Sequence, residues 1–196
     1  MRHMSNVLWA GAKLAVNATA VLQHRGSAGE FLKASWGRGG GGCGADFGDA
    51  QGLSMTVWSL AAMPQMDAPL LSSIAAPSMS RLQEFDTPGL SNIAWALAKC
   101  RVSDSPLLKA IAARAMSSLE DWGAQHLSKI AWSFATVRLS HTPLLDAISS
   151  QARARIHEFS SQNISNTAWS YASLGVLDVP LLSALASEAL RSIGQF

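Results

Sequence analysis

One word recurs through this chain at a fixed spacing. Leu90-Ser91-Asn92-Ile93-Ala94-Trp95-Ala96-Leu97-Ala98 has degraded but recognisable copies on either side, and Trp58, Trp95, Trp132 and Trp169 stand 37 residues apart. A serine lies four residues before each tryptophan (Ser54, Ser91, Ser128, Ser165), and an aliphatic residue precedes each serine (Leu53, Leu90, Leu127, Ile164). Two further markers keep the step: the Pro-Leu-Leu that begins at Pro69, Pro106, Pro143 and Pro180, and the aromatic series Phe85, Trp122, Phe159 and Phe196. A period between 20 and 50 residues is the signature of a repeat array, in which each unit is one supersecondary element that needs its neighbours to bury its apolar face.

The array divides into residues 49–85, 86–122, 123–159 and 160–196. Ahead of it, Met4-Ser5-Asn6-Val7-Leu8-Trp9 repeats the word once more, so a degenerate first repeat spans 1–36 and leaves no space for a leader peptide before it. Gly26 and Gly29 fall in its second half, and each internal glycine costs a helix about 1 kcal/mol against alanine. Residues 37–48, running from Gly37 to Gly48 with five of the intervening positions glycine, are an insertion: removing them restores the step from Trp9 to Trp58. No Lys-Ser/Thr follows them and no strand precedes them, so they read as a surface loop and not as a phosphate-binding loop.

Within the repeat 86–122, Thr87 before Pro88 predicts an N-cap and first helical residue, with helix A running to about Lys99. At 100° per residue, Leu90, Ile93, Ala94, Leu97 and Ala98 share one arc, and Asn92, Ala96 and Lys99 lie opposite. Ser105-Pro106 opens helix B, whose stripe is Leu107, Leu108, Ile111, Ala115 and Leu119. Pro77 falls inside helix B of the preceding repeat and should kink or shorten it. The expected fold is an all-α, right-handed solenoid of 37-residue helical hairpins. The periodic tryptophans, at the edge of the apolar arc, read as wedges packed between repeats, and the aromatics that end helix B read as core.

The positions opposite the arc stay small or polar while varying. They are Asn92, Ala96 and Lys99, then Lys129, Ser133 and Thr136, then Asn166, Ser170 and Ser173, with Asn6, Ala10 and Lys13 in the first repeat and a poorer Met55, Ser59 and Ala62 in the second. Equivalent helices of a solenoid line one surface, so these residues form a ladder of hydrogen-bonding groups with an occasional cation, suited to base edges and phosphates. Asn92, Lys99, Lys129, Ser133, Thr136, Asn166, Ser170 and Ser173 are therefore the candidate RNA contacts. The bland alternative for any one of these residues is a merely solvated face, and the rival function is a protein-interaction scaffold of the tetratricopeptide or armadillo kind.

Composition narrows the rest. The chain is 48% hydrophobic and 14% charged, with a net charge of +2 that does not by itself require a polyanionic partner. Cys43 and Cys100 stand in no metal or redox spacing, and no apolar run reaches the roughly 18–20 residues of a membrane span. His3, His24, His126, His141 and His157 are scattered, with no His-Glu-x-x-His helix or Gly-x-Ser-x-Gly elbow, so neither catalysis nor a metal or cofactor is expected.

The period, the Leu-Ser-Asn-Ile-Ala-Trp-Ala-Leu-Ala form of helix A, the Pro-Leu-Leu opening of helix B and its aromatic end resemble the heptatricopeptide and octotricopeptide repeat proteins. Related helical repeats occur in chloroplast translation factors, in proteins with a RAP domain and in the kinetoplastid RNA-editing substrate-binding complex. The resemblance covers 49–196 well and 1–36 weakly; it has no counterpart here to a C-terminal RAP domain or a transit peptide. It implies binding of single-stranded RNA in a mitochondrion or chloroplast, with effects on RNA processing, stability or translation. One more expectation comes from the residues: helix B of the last repeat, with Leu181, Leu182, Leu185, Leu190 and Ile193, is as apolar as its internal counterparts. Such an uncapped face predicts association with further repeats, with other repeat proteins or with a second copy.

Overall fold

The computed structural model describes residues 50–62, 75, 77–103 and 105–193. The first repeat, the glycine-rich insertion, most of helix B of the second repeat and Phe196 lie outside the described residues. The helices are α1 (Ala50–Ala62), α2 (Thr87–Lys99), α3 (Ser105–Met116), α4 (Ala124–Thr136), α5 (Thr142–Ala154), α6 (Ser161–Ser173) and α7 (Val179–Ile193). No strand occurs among the described residues. Two compact units are present, Met1–Val102 and Ser103–Phe196, and the division falls between the two helices of the repeat 86–122.

In the first unit α1 packs along α2. Leu53, Val57, Leu60 and Ala61 of one and Leu90, Ile93, Ala94, Leu97 and Ala98 of the other are buried. The N-cap of α2 is Asp86, one residue before the position expected at Thr87: its carboxylate accepts the Gly89 N–H at 2.8 Å. Asp and Thr are both good caps, and the longer reach of the aspartate side chain is used here. Gly89 itself is required by close approach, because a Cβ there would stand 2.9 Å from Asp86 Oδ1 and from Phe85 Cδ1.

In the second unit helices pack on their equivalents 37 residues away: α4 on α6, α3 on α5, and α5 on α7. Each hairpin also closes on itself, α4 with α5 and α6 with α7. This pairing of like with like is the packing of an α-solenoid. Small residues at the contact allow it. Ala131 and Ala135 of α4 are buried, and Ser128 satisfies its own hydroxyl by donating to Gln125 O at 3.1 Å while accepting from Asn163 Nδ2 of the next repeat at 2.8 Å. Ser54, Ser91 and Ser165 likewise donate to carbonyls one turn back in their own helices, at 3.0, 3.0 and 2.8 Å. The periodic serine is thus a small residue whose polar group is already satisfied. On α7, Leu181 and Leu185 are buried against the unit while Leu190 and Ile193 are exposed.

The turn from helix A to helix B uses the left-handed region at Arg101 (φ 55°), Arg138 (φ 56°) and Gly175 (φ 68°). In each, a backbone bond spanning the turn closes the helix end: Val102 N to Leu97 O, Leu139 N to Phe134 O and Val176 N to Tyr171 O, all 2.9 Å. After helix B the chain makes a 3-10 turn, at Leu82–Glu84, Leu119–Asp121 and Ile156–Glu158, before each aromatic. Phe85, Trp122 and Phe159 therefore stand beyond helix B and not at its last turn, yet all three are buried as expected of core. Around Pro77 the helical residues described are Ala75 and Pro77 to Ser80, after which the chain turns.

Candidate nucleic-acid interface

The A helices pack on one another within each unit, and α4 and α6 pack on their own B helices as well, so one stripe of each stays open to solvent, and on α6 Ser161, Ser165 and Ala172 are exposed beside it. On α2 that stripe is Pro88, Asn92, Trp95 and Lys99; on α4 it is Gln125, Lys129, Trp132 and Thr136. On α6 it is Gln162, Asn166, Trp169 and Ser173, and on α1 it is Gln51, Met55, Trp58 and Ala62. The spacing i, i+4, i+7, i+11 is one face of an α-helix. Six of the eight candidate contacts lie on it: Asn92, Lys99, Lys129, Thr136, Asn166 and Ser173.

The other two do not. Ser133 and Ser170 are wholly buried, as is Ala96 in the same register. Ser133 Oγ donates to Lys129 O at 2.8 Å and Ser170 Oγ to Asn166 O at 2.5 Å, so both hydroxyls are spent inside their own helices. These residues sit about 40° around the helix from the first rung, toward the neighbouring helix, and the packing of helix A closes that sector. The place expected for them on the open stripe is taken by the tryptophan. The wedge reading of the tryptophans is corrected accordingly: Trp58, Trp95 and Trp132 are half-buried and Trp169 is 48% exposed.

Neighbouring tryptophans meet in each unit. Trp58 and Trp95 have ring centroids 6.2 Å apart with planes at 30°, and Trp132 and Trp169 have centroids 6.4 Å apart with planes at 32°. Repeats do touch through these rings, but at the surface. Lys99 Nζ lies 4.8 Å from the Trp95 ring centroid, a cation–π contact that holds an exposed ammonium over the aromatic pair. Lys129 is half-buried, and desolvation pushes its ammonium pKa below the ordinary lysine value. Thr136 donates to Trp132 O at 2.8 Å, which leaves its oxygen lone pairs as acceptors.

In each unit the stripes put a pair of flat aromatic rings among amides and an ammonium group, joined in the second unit by the hydroxyls of Thr136 and Ser173. The polar atoms can bond base edges and phosphate oxygens, the cations can neutralise phosphate, and the rings can stack. Gln51, Pro88, Gln125, Gln162 and the four tryptophans are the members that reasoning from sequence did not include; the signal available for them was their i−4 and i+3 spacing from the first rung. Arg101 and Arg138, exposed in the turn after helix A, add positive charge at that end. Among the described residues no group of three or more His, Cys, Asp or Glu could hold a metal ion, and no helix is long and apolar enough to cross a membrane.

No curated protein sequence matches the chain. A model of the RNA-editing substrate-binding complex 6 protein family matches residues 43–196, which takes in every residue described above. The kinetoplastid editing-complex branch of the sequence resemblance is the one this match meets, and the chain belongs to the RNA-editing substrate-binding complex 6 protein family.

Proposed function

We propose that this chain binds single-stranded RNA on the solvent-facing stripe of the A helices within each unit, as a non-catalytic component of an RNA-editing substrate-binding assembly that includes other proteins. The observation that carries the reading is the family match across 43–196. The chemistry of the stripes supports it: Asn92 and Lys99 stand beside surface tryptophans in the first unit, Lys129, Thr136, Asn166 and Ser173 in the second, and none of the stripe residues is acidic. Of the two organelles implied by the sequence resemblance, an editing family favours the mitochondrion. The buried Ser133 and Ser170 serve the packing of helix A and are left out of the contact set.

The test is a titration of the chain with labelled single-stranded RNA and with duplex RNA at several salt concentrations. Single strands bind more tightly than duplex, and Lys129→Ala weakens all sequences alike while lowering the salt slope by roughly 0.7–1. Asn166→Ala instead changes sequence preference, at about 1–3 kcal/mol for a base edge. Because its folded pKa lies below the ordinary value, the ammonium of Lys129 is lost at a less alkaline pH than in a free lysine. Its share of the affinity therefore falls as pH rises through that depressed value, whereas the desolvation it imposes on the free fold is relieved over the same interval. Binding with no salt dependence, or unaltered by Lys129→Ala, contradicts the assignment.

A further inference from the structure

The surface tryptophans have a role that packing alone does not require. We infer that Trp169 is a nucleobase-stacking site, on which a base of single-stranded RNA lies against the open ring while Asn166 and Ser173, one turn before and after it on α6, take the base edge or sugar. The inference rests on the RNA-binding reading above and names its mode of recognition.

Trp169 meets Trp132 on one side only and keeps 48% of its surface open, the largest exposure of any described tryptophan. A ring of that size buries about 150–250 Å² when covered, so a half-open indole on a stable helix is a ready aromatic platform. The surroundings choose the ligand. On α6 the exposed neighbours are Ser161, Gln162, Ser165, Ala172 and Ser173, with Asn166 half-buried, so a flat apolar ring is framed by hydroxyls and amides and not by leucines. On the RNA-binding reading that ligand is a nucleobase, which presents a π face to the indole and hydrogen-bonding edges to the amides. Asn166 keeps its side-chain amide for that purpose: the Ser170 hydroxyl bonds the Asn166 main-chain carbonyl and leaves the amide out of that bond. Every base has a π face, so stacking of this kind tolerates sequence, and the amide three residues away supplies any preference.

The experiment compares two oligomers, a uridine RNA of about twelve nucleotides, enough to cover a single-strand site, and the same backbone with abasic riboses. Each is titrated against the full chain and its Trp169→Leu and Trp169→Tyr variants, with circular dichroism confirming that each variant is folded. Leucine keeps an apolar contact with Trp132 and removes the aromatic face; tyrosine keeps that face. Stacking predicts that Trp169→Leu weakens uridine binding between about fivefold and 150-fold, that Trp169→Tyr restores most of it, and that the abasic backbone binds weakly to all three. Equal binding of the uridine and abasic oligomers, with no loss of affinity in the Trp169→Leu variant, overturns the stacking site and leaves RNA binding by the remaining stripe intact. Failure of the unmodified chain to bind either oligomer overturns both readings. A Trp169→Leu effect on sedimentation alone, with oligomer affinity unchanged, makes the ring a protein contact and overturns the inference.

Discussion

In the repeat 123–159, Ser128, Ala131 and Ala135 are buried and Trp132 is half-buried beside α6. Thirty-seven residues on, Ser165, Ala172 and Trp169 hold the same register and are exposed, and Ala168 is half-buried. The side chains in the two helices are the same types, so residue chemistry does not set their burial; the helix packed beside them does. The same contrast appears between Leu145, buried, and its counterpart Leu182, half-buried. The burial of each helix A face thus follows the helix packed against it and not the residue types it carries.

The contrast is sharpest at the alanine pair. Ala135→Glu puts a carboxylate at a site 3% exposed and destabilises the chain by about 3–5 kcal/mol, whereas Ala172→Glu at the open equivalent stays within about 0.5 kcal/mol. Chemical denaturation of the two variants side by side reads the difference, and equal losses break the comparison.

A smaller effect separates Phe134 from Tyr171, which occupy one register in the two repeats. Tyr171 is buried like Phe134, and its hydroxyl donates to Leu145 O at 2.5 Å. Burial, with Asp178 and Asp146 adding to it, pushes the phenol pKa up, so the neutral donor persists through alkaline pH. Tyr171→Phe loses that bond and costs about 1–1.5 kcal/mol by the same denaturation measurement. No loss means that the repeat 160–196 packs as its predecessor does without its added anchor.

Thr167 stands where the preceding repeat has Ile130. It is fully buried, and its hydroxyl has no hydrogen-bond partner among the described residues. Thr167→Val removes an unsatisfied group without changing the shape of the side chain, and a gain of about 1 kcal/mol in stability is expected. A loss indicates that the hydroxyl is satisfied by water in solution.

The smallest effect belongs to the turn. Arg138 and Gly175 share the left-handed conformation, which glycine adopts without a Cβ penalty. Arg138→Gly relieves that penalty at some entropic cost and raises the thermal midpoint by an amount worth ~0.5 kcal/mol, and Gly175→Ala lowers it by a similar amount. Calorimetric scans showing shifts of the same sign for both would mean that the two turns are not equivalent.

Much of this arrangement was legible in the residues. The described helices begin at the 37-residue step, Lys99 marked the end of α2, and the stripe Leu107, Leu108, Ile111 and Ala115 of α3 is buried as its period indicated. Three features were not legible, each for a physical reason. An amphipathic arc measured from one helix cannot tell which 40° sector its neighbours will close, so Ser133 and Ser170 were placed outside and Trp132 and Trp169 inside. The left-handed turn announces itself through glycine, and only Gly175 of the three carries that signal. Capping depends on side-chain reach: Asp86 outcompetes the adjacent Thr87, and at α5 the acceptor is His141 Nδ1, 3.2 Å from Leu144 N, a residue type that cap preferences do not suggest.

Covalent mapping of bound RNA tests the central claim most directly. A single-stranded RNA carrying photoreactive uridines is bound to the full chain, irradiated, and the modified peptides are identified by mass spectrometry. The account predicts crosslinks on the outer stripe of the A helices, at or beside Trp132 and Trp169 and within 125–136 and 162–173. Crosslinks confined to the B helices at 105–116 and 142–154, or a pattern unchanged when Trp169→Leu and Lys129→Ala are combined, would contradict it.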